Sequence, residues 1–433
     1  MRRLVLPLAL VTALTAASAT AVHADPEDLA EETLPEGDGW GAAGAGTTGG
    51  SEAAPEDIHH VSTMEELREA VGGQDDDRPQ IIHVVGEIDA NTDSDGNPIS
   101  CTDYAVDGYT LEDYLETYDP EAWGWEEPEG PLEEARLASA EVQAERIQLE
   151  VGSNNTIIGA DDEARLSGVN LRINDVDNVI LRNLTFSDTH DCFPGWDPTD
   201  GDSGNWNSEY DQVEISGATN VWVDHNRFDD GDNPGTELPE YFGRKFEVHD
   251  GLLDIVRASD LITVAWNHFD GRDKAALIGN NDNATTDRGY LRITWHHNHF
   301  DGLGERAPRV RYGQVHVHNN YYTVDSPHFG YSLGVGHESH LYAENNIFDL
   351  HGDITADEML YNWGGTDIVE QGNAVLRDGG GRLTETDLVE AHNKTHPDSP
   401  LGTELTWVPQ LVNEVSPVHS VRDVPRLVGP NML

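Results

Sequence analysis

Apolar and polar residues alternate over short stretches along most of the chain, and each stretch stops at an asparagine. The clearest are VWVDHNRF (221–228), ITVAWNHF (262–269), ITWHHNHF (293–300), VHVHNNYY (315–322) and LYAENNIF (341–348). Each closes on Asn, any residue, then an aromatic. The asparagines are Asn226, Asn267, Asn298, Asn320 and Asn346, at spacings of 41, 31, 22 and 26. VILRNLTF (179–186) is a looser copy. Period-two alternation over a few residues predicts strands. A repeat with a shortest period near 22, with little helix between copies, predicts a β-solenoid whose longer spacings carry inserted loops. Stacking places equivalent residues about 4.8 Å apart, so buried turn asparagines can bond the coil above or below. A β-sandwich would not need this in-register signature. The fold class is therefore all-β.

Helical signals are confined to the first third. VSTMEELREAVGG (61–73) predicts a short helix with Ser62 and Glu65 as a capping box. PQIIHVVGEID (79–89) reads as one strand, and GPLEEARLASAEVQAERI (130–147) as a helix in a long acidic insertion. Residues 25–57 hold acids, Gly, Ala, Pro and Thr but no Lys or Arg, which predicts a disordered acidic leader. Residues 1–24, two arginines before an apolar run ending in small residues, read as a signal peptide cleaved after Ala24. The run is too short and too rich in Ala and Thr for a good membrane span. The expectation is a soluble, secreted, extracellular protein with one β-helix domain over 58–433.

Charge narrows the function. Against 81 Asp+Glu stand 25 Lys+Arg, a net charge of −56. A basic nucleic-acid footprint is absent. The excess acid suits a salt-rich habitat that screens self-repulsion, and any use of cations must be local. The lysines are Lys245, Lys274 and Lys394, yet Arg306, Arg309 and Arg311 fall within six residues. Export permits Cys101 and Cys192 to pair; the sequence leaves open whether they do.

With each coil's Asn as origin and 22 residues per turn, Lys274 lies at +7 and Arg306 at +8, while Asp211, Asp250 and Asp254 fall at the equivalents of +7, +5 and +9. One face would then carry three aspartates, a lysine and an arginine. Adjacent carboxylates repel unless a cation sits among them, and oxygen ligands favour a hard ion such as Ca²⁺. In so acidic a chain, three aspartates in register are also open to chance. No ligand spacing suggests zinc. DANTDSDGNP (89–98) lacks the terminal Glu of an EF-hand and reads as a turn. Asp224–His225 lies away from the metal line and reads as structural; His296, His297, His316 and His318 lack a matching serine motif, so no Ser-His-Asp triad is expected.

Several blocks make the picture specific: GSNNTIIGA (152–160), FPGWDPTDG (193–201), WNSEYDQVEISGATNVWVDHN (206–226), YFGRKFEVHDG (241–251), HDGLLDIVRASDLITVAWNHFDGRDKAALIGNND (249–282) and GERAPRVRYGQVHVHNNYY (304–322). Together they resemble the signature blocks of pectate lyases of polysaccharide lyase family one, in the pattern of the Bacillus-type secreted enzymes, from about residue 58 to the end. The resemblance implies a right-handed, single-stranded parallel β-helix with an asparagine ladder and long loops. It implies Ca²⁺ ligands at Asp211, Asp250 and Asp254, with Asp200 auxiliary. RAPRVR supplies the family's Arg-x-Pro-x-x-Arg, implying Arg306 as the proton-abstracting residue and Arg311 as a substrate-carboxylate ligand; Lys274 matches the substrate-binding lysine. The implied reaction is calcium-dependent β-elimination of de-esterified polygalacturonate by a monomer, with an alkaline optimum because free guanidinium hardly deprotonates. The alternatives are a pectin lyase on methyl-esterified chains, which needs no calcium, a polygalacturonase, which would need a carboxylate pair, and a non-catalytic pectin-binding β-helix, which would not need Arg306.

Overall fold

A computed structural model describes residues 26–433 apart from 232, 236 and 406; the expected signal peptide lies outside the described residues. Among these residues, the chain winds through three long sheets of ten, eight and ten strands, and neighbouring coils pair in parallel almost throughout. A full coil runs from Thr219–Asp224 to Arg227–Asp229, then through a loop to Leu253–Val256, and back beside its start at Asp260–Ala265. The right-handed sense follows from the usual hand of parallel crossovers. This is the parallel β-helix the repeats predict.

The Asn-x-aromatic signature has two jobs. Asn226 N–H donates to Asn267 Oδ1 (2.8 Å), and the relay continues through Asn298, Asn320 and Asn346. It extends one rung further than the sequence reading, to Asn373 (3.0 Å). The looser copy shows why it is loose: the ladder position is Leu184, whose N–H donates to Asn226 Oδ1. The residue before each ladder position takes the left-handed conformation, for example His225, Trp266 and His297. The aromatics two residues later stack through the core, Phe228 on Phe269, Phe269 on Phe300, and Tyr322 on Phe348 at 4.5–5.2 Å. Each such contact adds about 0.5–1.5 kcal/mol beyond area burial.

Helix Met64–Ala70 covers one end of the coil stack, with Leu67 and Ala70 in the core, and Leu388–Thr395 covers the other. The cap of the first is shifted by one residue from the expected box: Thr63 Oγ1 accepts from Glu66 N–H, and the Glu66 carboxylate accepts from Ser62 N–H. Residues 79–89 form two strands, Gln80–Val84 and Glu87–Asp89, broken at Gly86, whose φ is positive. The helix expected at 130–147 spans Pro131–Ile147. It packs with two short helices, Cys101–Tyr104 and Leu111–Thr117, in an aromatic cluster of their own. Cys101 and Cys192 are disulfide-bonded, tying this insertion to the loop before the site.

The expected disordered leader needs correction. Residues 26–57 form a strap across the ten-stranded sheet that begins at Ile58. Leu29 packs on Ile81 and Ile158, and Leu34 on Ile180 and Trp222. Gly41 N–H donates to Thr263 Oγ1 (3.0 Å) and Gly50 N–H to Thr156 Oγ1 (2.9 Å). A Cβ on Gly50 would meet the Gln80 carbonyl oxygen at 1.9 Å. The glycines that make the segment look disordered are what let its backbone reach the sheet.

Candidate active site

The eight-stranded sheet carries the predicted chemistry. Its outward-facing positions form one row in register: Arg172, Glu214, Asp254, Leu277, Arg309, Gly334, Tyr361. Loops entering these strands bring the remaining groups. Asp211 and Asp250 precede the Val213 and Leu253 strands. Lys274 and Glu305 pair across adjacent coils, with Arg306 beside them. The face inferred from coil arithmetic is thus assembled.

Asp211 Oδ1 accepts from Gly251 N–H at 2.7 Å, and Asp254 Oδ1 from Leu277 N–H at 2.9 Å. Gly251 is squeezed between these carboxylates; a Cβ there would lie 2.4 Å from Asp254 Oδ1 and 2.7 Å from Asp211 Oδ1. Burial, then Asp254, Asp250 and Glu214, push the Asp211 carboxyl well above the usual range. Burial and Asp250 push Asp254 up to about 7 against the pull of Arg306 and Lys274. Asp250 Oδ1 lies 3.4 Å from Lys274 Nζ. This is a crowded oxygen-donor set with too little positive charge around it, which fits a hard divalent cation. The three carboxylates are not drawn to within 4.8 Å of one another. Among the described residues, that spacing is met by His268, His299 and Asp301, where Arg227 already occupies His268 Nδ1, and by Cys101, His190 and Cys192, where the sulfurs are bonded to each other.

Beside the aspartates opens a cleft of about 550 Å³ lined by Lys274, Arg306, Arg309, Asp200, His328 and Trp363, among others. Arg306 has a left-handed backbone (φ 62°) and its Nε lies 3.1 Å from Glu305 Oε1. Burial works against its charge, but Glu305, Asp254 and Asp250 outweigh burial and hold its proton more tightly than usual. Arg311 is not at the cleft: Nε binds Asp282 (2.7 Å) and an NH₂ group binds the Gly279 carbonyl (2.8 Å). Lys245 is engaged by Glu247 and Asp273. Asp200 lies on the cleft wall, exposed, apart from the other aspartates. Sequence reading named Arg309 among the clustered cations without giving it a role and missed Glu305 and Trp363; Glu305 stands inside the quoted motif, but nothing local singles out Trp363. A larger hollow of about 1310 Å³, between helix Met64–Ala70 and the 89–99 turn, holds none of these residues, and its Arg146 is engaged by the Ala90 and Thr92 carbonyls. Asp224 lies against both His225 and Arg182 on the strap-covered sheet, far from this chemistry.

The sequence profile of a family described as pectate lyase matches residues 131–373. A pectate lyase of Bacillus subtilis is 43% identical over 86% of this chain and 88% of its own. Pectate lyase E of Dickeya chrysanthemi is 36% identical over 72% of this chain and 67% of its own. A thermostable pectate lyase structure superposes with a TM-score of 0.90 at 42% identity, covering 94% of this chain and 99% of that one. A pectate lyase bound to a hexasaccharide gives 0.87 at 38% identity, covering 94% and 99%. With a parallel β-helix, an aspartate-rich face and an Arg-x-Pro-x-x-Arg loop joined in one molecule, the chain belongs to the pectate lyase family.

Proposed function

We propose that this protein is a calcium-dependent pectate lyase that cleaves de-esterified polygalacturonate by β-elimination. The carrying observation is the meeting of under-neutralised carboxylates, Lys274 and Arg306 along one open cleft. A protein of net charge −56 repels a polyuronate; local cations must hold it. Asp211, Asp250 and Asp254 would hold Ca²⁺, which when bound draws charge from a uronate carboxylate and acidifies the adjacent C5 proton. Asp200 is proposed as an auxiliary ligand from the cleft wall.

Lys274 pairs with a substrate carboxylate, and Arg306 takes the C5 proton. The released electron pair forms the C4–C5 double bond as the C4–O bond breaks, and the departing oxygen takes a proton from solvent. Arg306 must first lose its own proton, which Glu305, Asp250 and Asp254 oppose. Neutralising the aspartate charge eases that loss, and rising pH completes it, so the rate climbs into the alkaline range. Arg311 reaches a uronate only by exchanging its partner Asp282, whose side chain is 57% exposed. Export is supported by the leader sequence and by the Cys101–Cys192 disulfide. A monomer is supported by the helices that cover both ends of the coil stack.

The test is ultraviolet absorbance of polygalacturonate with the protein at alkaline pH, with Ca²⁺ or with excess EGTA. An unsaturated-uronide band that grows only with Ca²⁺ is expected. New reducing ends without the band would mean hydrolysis and end the lyase reading; the band in EGTA would end the calcium requirement.

A further inference from the structure

Among the described residues, two cations of the cleft have no carboxylate partner: Arg244, which is exposed, and Arg309, which is half-buried. Arg306 has Glu305 and Arg311 has Asp282. Among the described residues no carboxylate lies within 4 Å of Arg309, and its Nε is buried without a hydrogen bond. In a chain with 81 acids, that isolation is maintained by the surroundings.

Those surroundings have a shape. The next coil carries Gly334 in register with Arg309. A Cβ there would meet Arg309 Cγ at 3.0 Å and Tyr331 Cε2 at 2.9 Å, so the glycine leaves a trough for the arginine stem. The guanidinium lies over Trp363, 4.0 Å from the ring centroid. Stacking fixes the fork in a plane and leaves its edge to bind an anion. Burial, then Arg311, weaken its hold on its proton, against the smaller pull of Tyr331 and Glu305.

Resting on the lyase reading, we infer that Arg309 and Trp363 form a separate subsite that grips the carboxylate of a further uronate along the chain. Arg309 shares the outward row with Asp254 two coils away, about 10 Å. A chain running along that row from the aspartates meets Arg309 with a later sugar than the one held at the aspartates. The subsite sets the length of chain the enzyme prefers.

The test compares wild type, Arg309→Ala, Arg309→Lys and Trp363→Leu on polygalacturonate and on purified tri- to hexagalacturonate at alkaline pH with Ca²⁺. Folding is checked by thermal unfolding; Arg309→Lys serves if the alanine variant does not fold. Arg309→Ala should raise KM about tenfold on polymer and hexamer, with kcat within about twofold, the loss of one charge-assisted contact. The penalty should vanish on the shortest oligomer turned over. Trp363→Leu should follow the same pattern more weakly. Unchanged KM at every length would overturn the subsite. So would an equal fall in kcat at all lengths with a displaced pH profile, because Arg309 would then act through Arg306. If wild type makes no unsaturated product, the lyase reading fails separately; retention on immobilised polygalacturonate then decides, and undiminished retention of Arg309→Ala overturns the subsite.

Discussion

The open sheet and the strapped sheet belong to the same coils, yet their outer faces have opposite fates. On the open sheet the central outward row reads Arg172, Glu214, Asp254, Leu277, Arg309, Gly334, Tyr361. On the strapped sheet the corresponding row reads Ile81, Thr156, Ile180, Trp222, Thr263, Thr294, His316. The second row has no formal charge at neutral pH. Covering it costs little, because the strap supplies leucines for its apolar members and backbone N–H groups for its threonines. Covering the first would strip water from several charges with few partners. The difference shows that a solenoid chooses its working face by what the outward row would cost to bury.

The largest expected effect separates the faces by activity. Arg306→Ala should lower kcat by about 10²–10⁴-fold, the usual contribution of a positioned base, while substrate retention and unfolding midpoint stay near wild type. A matching fall in stability would mean that Arg306 holds the fold and not the chemistry. Next comes the converse on the strapped face. Gly50→Val forces atoms into the Gln80 carbonyl and should cost roughly 3 kcal/mol in urea unfolding with kcat unchanged. Unaltered stability would show that the strap does not stay docked.

Acid should open the strapped face. Burial holds His297 near 4, and His296 and His318 well below the ordinary imidazole value. The unfolded chain binds protons at these sites from about pH 6.5 downward and the folded chain does not. Their stability contribution is therefore full above 6.5 and lost as pH falls through about 4. Unfolding midpoints followed from pH 8 to 4 should decline over that window. Asp38, on the strap 3.4 Å from His296, carries the opposite sign, since burial and Asp224 raise it to about 6. It favours folding below 3.8 and loses that contribution as pH rises through 6. The smallest expected effect follows: Asp38→Asn should raise stability slightly at pH 8, by about 1 kcal/mol, and leave it unchanged at pH 4. An equal shift at both pH values would trace the change to packing and not to charge.

The repeats determined the coil by themselves. An Asn ladder and a core aromatic at fixed phase are local demands of every turn, so Asn226 and Phe228 announce what Asn267 and Phe269 repeat. The common face of Asp211, Asp250, Asp254, Lys274 and Arg306 was legible for the same reason: a regular coil turns sequence distance into angle. What escaped was decided between coils. A local exception is the cap of helix Met64–Ala70, where the Thr63 hydroxyl, and not that of Ser62, meets the Glu66 N–H. The strap looked disordered because glycine and acid are poor in local preference, and its order comes from a sheet whose strands include one met 222 residues away in sequence. Arg309 and Arg311 are two residues apart and equal in composition. Only the folded neighbours, Asp282 for one and Trp363 for the other, decide that Arg311 is tied down and Arg309 is left facing the cleft.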